Sequence, residues 1–325
     1  MIKSLGLVTV QDLGRRGRMH EALPPGGALV PSLLVRANRA VGNPDEAVAI
    51  EVSGTLVVRA ERDVAIATND ATNVSDAGTT HGVRTASDRA VHPTRAPHVV
   101  VRDLRAGDEV TISSGSSRVT YLAVRGGFEV PLVLGARGAH LSAGIGSLIR
   151  VGDRLAIAPV NARDTDHDSD SNTRATTETR AATDTRAATH AASDTHATTD
   201  THAVSDTHAV SDTRPAIRVL AGPDLDAFAS DALDLLVRTE WRISSSSNRV
   251  GTRLDGTPIA RRARYVEQSR PMVIGAIEVP RDGGPIVLGP EHPTTGGYPI
   301  LAVIAHDDLD AFHSIPLGGR VRLCR

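Results

Sequence analysis

A segment of short polar repeats sets the strongest limit on how this chain can fold. Between residues 162 and 214 a six-residue unit recurs, for example as Asp-Thr-His-Ala-Val-Ser starting at Asp200 and again at Asp206. The segment has almost no bulky apolar residues, so it cannot bury enough surface to offset the entropy lost on ordering. We therefore predict a disordered insert at 162–214, which leaves residues 1–161 and 215–325 to fold.

The composition argues against several classes of partner. The 325 residues carry a net charge of −2, without the basic excess that nucleic-acid-binding and membrane-surface proteins show. Aromatic residues make up only 2%, which leaves few rings for stacking on bases. No apolar run approaches the roughly 18 residues of a membrane span, and the N-terminus lacks the long apolar stretch of a signal peptide. We expect a cytoplasmic protein that binds neither nucleic acid nor membranes.

Two scarce residue types narrow the chemistry. Cys324 is the only cysteine, so the chain can form neither an intrachain disulfide nor a cysteine cluster for zinc. Lys3 is the only lysine, so arginine must supply the cationic contacts to any ligand. The histidines of the repeats are six residues apart, and a disordered chain would not preorganise them as metal ligands. We therefore predict no metal site.

Short apolar runs separated by Gly, Asp and Ser dominate the rest of the sequence. Between residues 55 and 152 they recur at the intervals of an all-β barrel or sandwich, as at 64–67 and 119–124. Apolar residues at helical spacing occur at 32–41, 224–239 and 307–313. Ser32, directly after Pro31, is the expected N-cap of the first helix. The sequence thus predicts a mainly β fold with a few short helices.

The segment Pro-Thr-Thr-Gly-Gly-Tyr-Pro at 293–299, called the double-glycine segment below, is the leading candidate for a site. It lies between two apolar runs and combines two threonine hydroxyls with a tyrosine. Its adjacent glycines permit positive φ angles and the close approach of a ligand or another chain segment. A rigid scaffold often carries its site on such a loop. The alternative is a tight turn that binds nothing.

Other polar positions also stand out. The loop 11–17 packs an amide, an acid and two arginines between glycines, which suits either a bound anion or a solvated turn with one ion pair. Glu51 lies near the end of an apolar run. If it is buried it needs a partner or a raised pKa, and otherwise it points to solvent at a strand edge. Arg249 and Arg253 flank Gly251 beside a predicted strand.

Six stretches match one protein family in order, namely 10–17, 37–44, 49–52, 126–128, 248–254 and 294–299. On these motifs the chain resembles the biotin-dependent carboxyltransferase, or allophanate hydrolase subunit 2, family over nearly its whole length except the insert. The resemblance implies two cyclophilin-like β-barrel subdomains. It also implies that residues 1–161 and 215–325 are the N-terminal and C-terminal parts of one carboxyltransferase-like domain, interrupted by the insert.

The resemblance implies a choice among three activities. The first, which we expect, is the C subunit of an ATP-dependent 5-oxoprolinase that opens the lactam of 5-oxoproline to glutamate. Such a subunit would be inactive alone and would act with an allophanate hydrolase subunit 1 (KipI-like) protein and a LamB/YcsF-like subunit, with ATP bound by this chain or its partner. The second is a KipA-type regulator that binds a KipI-like kinase inhibitor. The third is the carboxyltransferase half of a urea-carboxylase-like system with a separate biotin carrier.

Opening a lactam requires cations and amide groups around phosphate and a carboxylate that orients the substrate nitrogen. Combined with the resemblance, this chemistry predicts four catalytic residues: Asp12, Glu51, Arg249 and Arg253. The predicted ligand-binding residues are Gln11, Arg15, Asn38, Asn43, Thr294, Thr295, Gly296, Gly297 and Tyr298. Four residues differ from those that family members tend to have at the same positions. Val30 stands in place of an acid, Asn248 in place of an aspartate, and Glu278 and Pro293 in place of glutamines.

Overall fold

A computed structural model of the chain describes residues 2–69, 75–76, 99–158, 216–263 and 265–325. The predicted disordered insert at 162–214 lies outside these residues, so the domain boundaries at its two ends stay predictions. The helices in the described part are α1 Pro31–Ala40, α2 Ala232–Arg238 and α3 Leu309–Ser314, with shorter 3₁₀ turns at Met19–Glu21, Leu141–Ala143, Leu225–Ala227 and His306–Asp308. None of the described helices is long and apolar enough to cross a membrane.

Antiparallel strands build the N-terminal part. They are β1 Ile2–Gln11, β2 Ala49–Arg59, β3 Val64–Thr68, β4 Ser75–Asp76, β5 Val100–Leu104, β6 Glu109–Ser113 and β7 Thr120–Val124. The sheet runs in the order β4-β6-β2-β7-β3-β5, and β1 pairs with the other edge of β2. In this register Glu51 of β2 is opposite Thr9 of β1 and Tyr121 of β7, so all three lie side by side.

The alternation of side chains gives this sheet two buried faces. Because successive strand residues point to opposite sides, Ile50 and Val52 enter one apolar core, whereas Ala49 and Glu51 turn toward α1. The first core also contains Val8, Leu56, Ile66, Ile112, Leu122 and Val124. The second is formed by Leu33, Leu34 and Ala37 of the helix against Ala49, Ala67, Tyr121 and Ala123. The pleat therefore places the Glu51 carboxylate inside the protein, on the side of the helix.

The N-cap of helix α1 lies two residues earlier than the sequence suggested. Val30 is its N-cap and Pro31 its first residue, so the prediction that Ser32 is the N-cap is wrong. Proline suits the first helical position because the N–H group that it lacks would have no partner there. The N–H of Ser32 instead donates to Asp310 Oδ2 at 2.9 Å. Asp310 belongs to α3, so this contact ties the N-terminal part of the chain to the C-terminal part.

The C-terminal part closes into a barrel. Its strands are β8 Ile217–Ala221, β9 Glu240–Ile243, β10 Gly251–Asp255, β11 Arg270–Pro271, β12 Ala276–Glu278, β13 Ile286–Leu288, β14 Thr295–Gly296, β15 Ile300–Ile304 and β16 Arg320–Cys324. The barrel order is β10-β13-β12-β15-β8-β16-β9, while β11 and β14 pair separately. Trp241, Phe228 and Phe312 are fully buried in its core. This architecture confirms the predicted mainly β fold with a few short helices.

Candidate functional site

A buried arginine connects the two parts of the chain. Arg249, just before β10, donates from Nε to Glu291 Oε1 at 2.6 Å, from Nη1 to Glu51 Oε1 and from Nη2 to the carbonyl of Gly27. Burial opposes its charge, but Glu51 and Glu291 outweigh that effect and hold the pKa of Arg249 above its usual value. We call Glu51, Arg249 and Glu291 the charge centre. The structure thus brings together two predicted catalytic residues, Glu51 and Arg249.

Glu51 is buried and fully partnered, as one of the two alternatives for this residue requires. Its Oε2 accepts hydrogen bonds from the N–H of Leu29 at 2.8 Å and from the Tyr121 hydroxyl at 2.6 Å. The hydroxyl in turn accepts from the N–H of Val30 at 3.0 Å. Burial and the neighbouring carboxylate raise the pKa of Tyr121 well above its usual value, so the hydroxyl keeps its proton and donates it.

Glu291, which the sequence analysis missed, carries the network to a second loop. Its Oε2 accepts from the Ser142 hydroxyl at 3.2 Å, and Ser142 Oγ lies 3.1 Å from His140 Nδ1. Burial lowers the pKa of His140, and the charge of Glu291 opposes that shift. Glu291 stands two residues before the double-glycine segment, and that proximity was the available signal. No local pattern marked His140.

The side chain of Asp12 joins two loops through hydrogen bonds and does not face open space. Its Oδ1 accepts from the N–H of Gly14 at 2.9 Å, and its Oδ2 accepts from the N–H of Arg137 at 2.6 Å. Gly138 leaves no room for a side chain, because a Cβ there would lie 2.7 Å from Asp12 Oδ1. Both oxygens are therefore occupied by backbone amides, which lets Asp12 position the two loops, and its catalytic role stays a prediction.

Gln11 and Arg15 flank Asp12 and keep one unpartnered atom each. Gln11 Nε2 donates to the carbonyl of Ala139 at 3.2 Å, and Arg15 Nη2 donates to the carbonyl of Ala136 at 3.4 Å. Gln11 Oε1 and Arg15 Nη1 are buried and have no hydrogen-bond partner in the described part of the chain, and the same holds for His140 Nε2. Buried polar atoms are normally paired, so these three atoms, called the orphan cluster below, suit a small polar ligand.

Asn38 and Asn43 fix the end of α1 to the sheet. Asn38 Nδ2 donates to the carbonyl of Ala47 at 2.6 Å, and Asn43 Nδ2 donates to the carbonyl of Val124 at 2.7 Å. Asn43 Oδ1 also accepts from the N–H of Gly126 at 2.8 Å. The side-chain amides of both residues are occupied by these bonds, and the structure does not bring them to the charge centre.

Arg253 lies away from Arg249. In β10 the side chains of Thr252 and Leu254 are buried, and the alternation of the strand leaves Arg253 exposed between them. A different arginine reaches this strand from the N-terminal part, since Arg118 Nη1 donates to Thr252 Oγ1 at 2.6 Å. Burial lowers the pKa of Arg118 to about 10. The structure therefore does not join the predicted arginine pair.

The double-glycine segment runs across the outside of the barrel. Thr295 and Gly296 form β14, which pairs with β11, and the carbonyl of Thr294 accepts from the N–H of Met272 at 3.0 Å. Thr295 and Tyr298 are exposed and Thr294 is half-buried. The side chains of Thr294, Thr295 and Tyr298 are therefore accessible to a ligand. In the sequence they follow Glu291, the last residue of the charge centre.

The two glycines of the segment serve packing rather than an unusual backbone. Neither Gly296 nor Gly297 has a positive φ, so that expectation is wrong. A Cβ on Gly296 would lie 2.5 Å from Met272 Cε and 3.1 Å from Glu278 Oε1, whereas the nearest atom to a Cβ on Gly297 is 3.9 Å away. Close approach, the other expectation, therefore holds for Gly296.

In the described residues no group of three His, Cys, Asp or Glu side chains could hold a metal ion.

Comparison with known proteins identifies the family. A family model described as the carboxyltransferase domain, subdomain A and B, matches residues 22–325. The chain belongs to the carboxyltransferase domain family. This assignment confirms the resemblance inferred from the six motifs.

Curated relatives in this family cover nearly the whole chain. The C subunit of 5-oxoprolinase from Escherichia coli (strain K12) is 31% identical over 317 residues, which is 95% of this chain and 85% of that protein. The C subunit of 5-oxoprolinase from Haemophilus influenzae is 26% identical over 320 residues, which is 97% of this chain and 86% of that protein.

Solved structures show the same fold. TTHA0988 matches all of this chain with a TM-score of 0.70 at 23% identity, and this chain spans 55% of its length. The urea amidolyase of K. lactis matches 99% of this chain with a TM-score of 0.70 at 19% identity, and this chain spans 18% of that larger protein. These likenesses confirm the predicted fold class.

Proposed function

We propose that this chain is the C subunit of an ATP-dependent 5-oxoprolinase, which opens the lactam of 5-oxoproline to glutamate. The observation that carries the proposal is its 31% identity, over 95% of its length, to a protein named as the C subunit of 5-oxoprolinase. The proposed partners are a KipI-like subunit and a LamB/YcsF-like subunit. Without them the chain would be inactive.

The geometry supports a role in handling a small polar substrate. A five-membered lactam resists hydrolysis, so an enzyme must orient the ring, stabilise charge on its carbonyl oxygen and supply a proton to its nitrogen. The orphan cluster offers one acceptor, one cationic donor and one imidazole nitrogen in a buried place. Such groups interact far more strongly with a ligand there than they would in water.

The charge centre, the N-terminus of α1 and the orphan cluster offer little to a nucleoside triphosphate. Arg249 is already neutralised by Glu51 and Glu291, and the N-terminus of α1, where an anion could bind, meets the carboxylate of Asp310. Arg15 has a single unpartnered nitrogen, which is too little for three phosphates. We therefore assign ATP to a partner subunit, while the groups of this chain act on the lactam and on water.

The test is reconstitution of the complex. The chain is co-purified with its KipI-like and LamB/YcsF-like partners, and ATP-dependent glutamate release from 5-oxoproline is measured with each subunit omitted in turn. Activity is expected only with all three subunits. 2-Pyrrolidone, which lacks the carboxylate, serves as the control substrate and should be turned over far more slowly. A stable complex that releases no glutamate would reject the proposal and favour a KipA-type regulator.

A second candidate is the carboxyltransferase half of a biotin-dependent system. The family model and the shared fold of the K. lactis urea amidolyase favour it. This function would require a separate biotin carrier, because Lys3 is the only lysine of the chain and does not lie in an acceptor sequence. Carboxyl transfer from a carboxylated biotin carrier, in a preparation that does not open 5-oxoproline, would establish this alternative.

A further inference from the structure

The three atoms of the orphan cluster belong to two loops that contact each other. Gln11 and Arg15 on one loop donate to the carbonyls of Ala139 and Ala136 on the other, which also carries His140. Gln11, Arg15 and His140 are all at least 98% buried. Their unpartnered atoms are one carbonyl oxygen, one guanidinium N–H and one imidazole nitrogen.

The hydrogen bonds around His140 fix which of its nitrogens carries a proton. Ser142 has one hydroxyl proton, and Glu291 Oε2 at 3.2 Å accepts it. Ser142 Oγ must then be the acceptor in its 3.1 Å contact with His140 Nδ1, so Nδ1 carries the proton. In the neutral ring Nε2 then has a free lone pair, which can accept a proton.

We propose that Gln11, Arg15 and His140 hold the water molecule that attacks the lactam, with His140 as its general base. One water has two donors and can accept from Arg15 Nη1, which matches the two acceptors and one donor of the cluster. Gly26 lets the backbone approach the ring edge, since a Cβ there would lie 2.8 Å from His140 Cδ2. This inference rests on the proposed function for the identity of the substrate.

The proton transfers balance once ATP held by a partner subunit has activated the lactam. Transfer of its γ-phosphoryl group to the ring carbonyl oxygen releases ADP and leaves a C=N bond in the ring. As the water oxygen bonds to the ring carbon, its proton passes to His140 Nε2 and the π pair moves onto the ring nitrogen. The bond between that carbon and the nitrogen then breaks, and the nitrogen takes the proton of the His140 imidazolium and that of the added hydroxyl, whose oxygen re-forms the carbonyl. The base is regenerated, and the remaining acyl phosphate is hydrolysed by a second water to glutamate and phosphate.

The charges around His140 favour its neutral form as the resting state. Glu291 approaches from the connection after β13, Arg15 from the loop after β1, and Arg249 from the segment before β10. Burial, Arg15 and Arg249 all lower the pKa of His140, whereas Glu291 and a backbone hydrogen bond of His140 itself act in the other direction. Activity should therefore be present at neutral pH and be lost as the pH falls through the lowered pKa of the histidine.

The activity test uses the three-subunit complex. His140→Gln should lower kcat by about 10²-fold or more with little change in KM, the typical loss for a general base. It should also abolish the decline of kcat at acidic pH. Ser142→Ala keeps the imidazole but removes the group that fixes its tautomer, so an intermediate loss is expected. The matched control is His306→Gln at an exposed position, which should leave both kcat and its pH dependence unchanged.

A second measurement needs no activity. The ¹⁵N chemical shifts of the His140 ring, assigned by comparison with His140→Gln, report which nitrogen is protonated in the isolated chain. The Nδ1–H form is expected, with a mixture of tautomers in Ser142→Ala. A His140 ring protonated on Nε2 would overturn the inference, and so would wild-type kcat in a folded His140→Gln complex. If the wild-type complex does not open 5-oxoproline while Nδ1 carries the proton, only the proposed function fails.

Discussion

Two buried glutamates show how differently one molecule can treat the same side chain. Glu51 and Glu278 have similar exposed fractions, 5% and 8%. Glu51 accepts bonds from Arg249, Tyr121 and the backbone of Leu29. The carboxyl group of Glu278 forms no hydrogen bond or ion pair within the described ranges. Burial alone raises the pKa of Glu278 to about 7. The two carboxyl groups therefore differ in their partners and not in their depth of burial.

The two surroundings have different structural causes. Glu51 lies where β2, α1 and the segment before β10 meet, so donors from three parts of the chain converge on it. Glu278 lies under β14, against Gly296 and Met272, where the neighbouring surface is apolar. We infer that the charge centre holds the two parts of the chain together, whereas Glu278 is a group free to exchange a proton beside the double-glycine segment.

The largest loss of folding stability should come from removing the cation of the charge centre. Arg249→Met leaves Glu51 and Glu291 buried without their counter-charge, and breaking a buried pair in this way costs about 3–5 kcal/mol of folding free energy. Urea unfolding at pH 7 measures the loss. Arg253→Ala is the matched control, because that arginine is exposed, and it should change stability by less than about 0.5 kcal/mol. Similar losses for the two variants would contradict the contrast drawn between these arginines.

A smaller change in folding stability is expected from alanine substitutions at the two adjacent glycines. Gly296→Ala places a methyl group against Met272 and the Glu278 carboxyl, and overpacking of this kind typically costs about 1–3 kcal/mol. Gly297→Ala adds a methyl group whose nearest neighbour is at 3.9 Å, and the backbone φ is not positive, so the variant should be neutral or stabilise by up to about 1 kcal/mol through the unfolded state. Urea unfolding of both variants gives the comparison.

The glycine pair also has an internal check. Met272→Ala removes the side chain whose Cε is nearest to the added methyl group, so the cost of Gly296→Ala should shrink in that background. An unchanged cost would place the strain at Glu278 Oε1 instead. Equal effects of alanine at Gly296 and Gly297 would show that close approach is not the reason for the first glycine.

Local pattern was sufficient to predict most of the fold. The apolar runs became strands, and the helix predicted at 32–41 is α1 Pro31–Ala40. The sequence also marked Glu51 as an acid that needs a partner if buried. The partner itself, Arg249, is 198 residues away in the chain. Long-range pairs of this kind depend on how the sheet and the barrel pack together, which no local pattern reports.

The structure gives several of the predicted site residues contacts within the chain. Asp12, predicted as catalytic, and Asn38 and Asn43, predicted as ligand contacts, bond to backbone amides and carbonyls that lie between 2 and 125 residues away in the sequence. The more distant of these contacts depend on how loops and strands pack together, so the sequence alone does not separate this use from ligand binding. The period of two in β10 could have shown that Arg253 is exposed, because the neighbouring Thr252 and Leu254 point inward.

The last prediction concerns the pH dependence of stability. Below pH 4.5, the ordinary pKa of a glutamate, Glu278 is protonated in both the folded and the unfolded states, so its ionisation does not lower the stability of the folded chain. As the pH rises toward about 7 the unfolded chain releases its proton while the folded chain retains it, so the stability contributed at low pH is progressively lost. Glutamine mimics the protonated acid. Glu278→Gln should therefore match the wild type at pH 4 and become progressively more stable than the wild type as the pH rises to 8.

Urea unfolding of both proteins from pH 4 to pH 8 measures this difference. The neighbouring charges do not mask it, because Glu267 is paired with Arg261 at 2.8 Å and Arg270 with Asp224 at 2.6 Å. Glu46→Gln, at an exposed position, is the matched control and should show no growing difference with pH. A stability difference that is constant from pH 4 to pH 8 would mean that Glu278 is ionised in the folded state, like a carboxylate with a partner. The two glutamates would then differ in their neighbours but not in their charge.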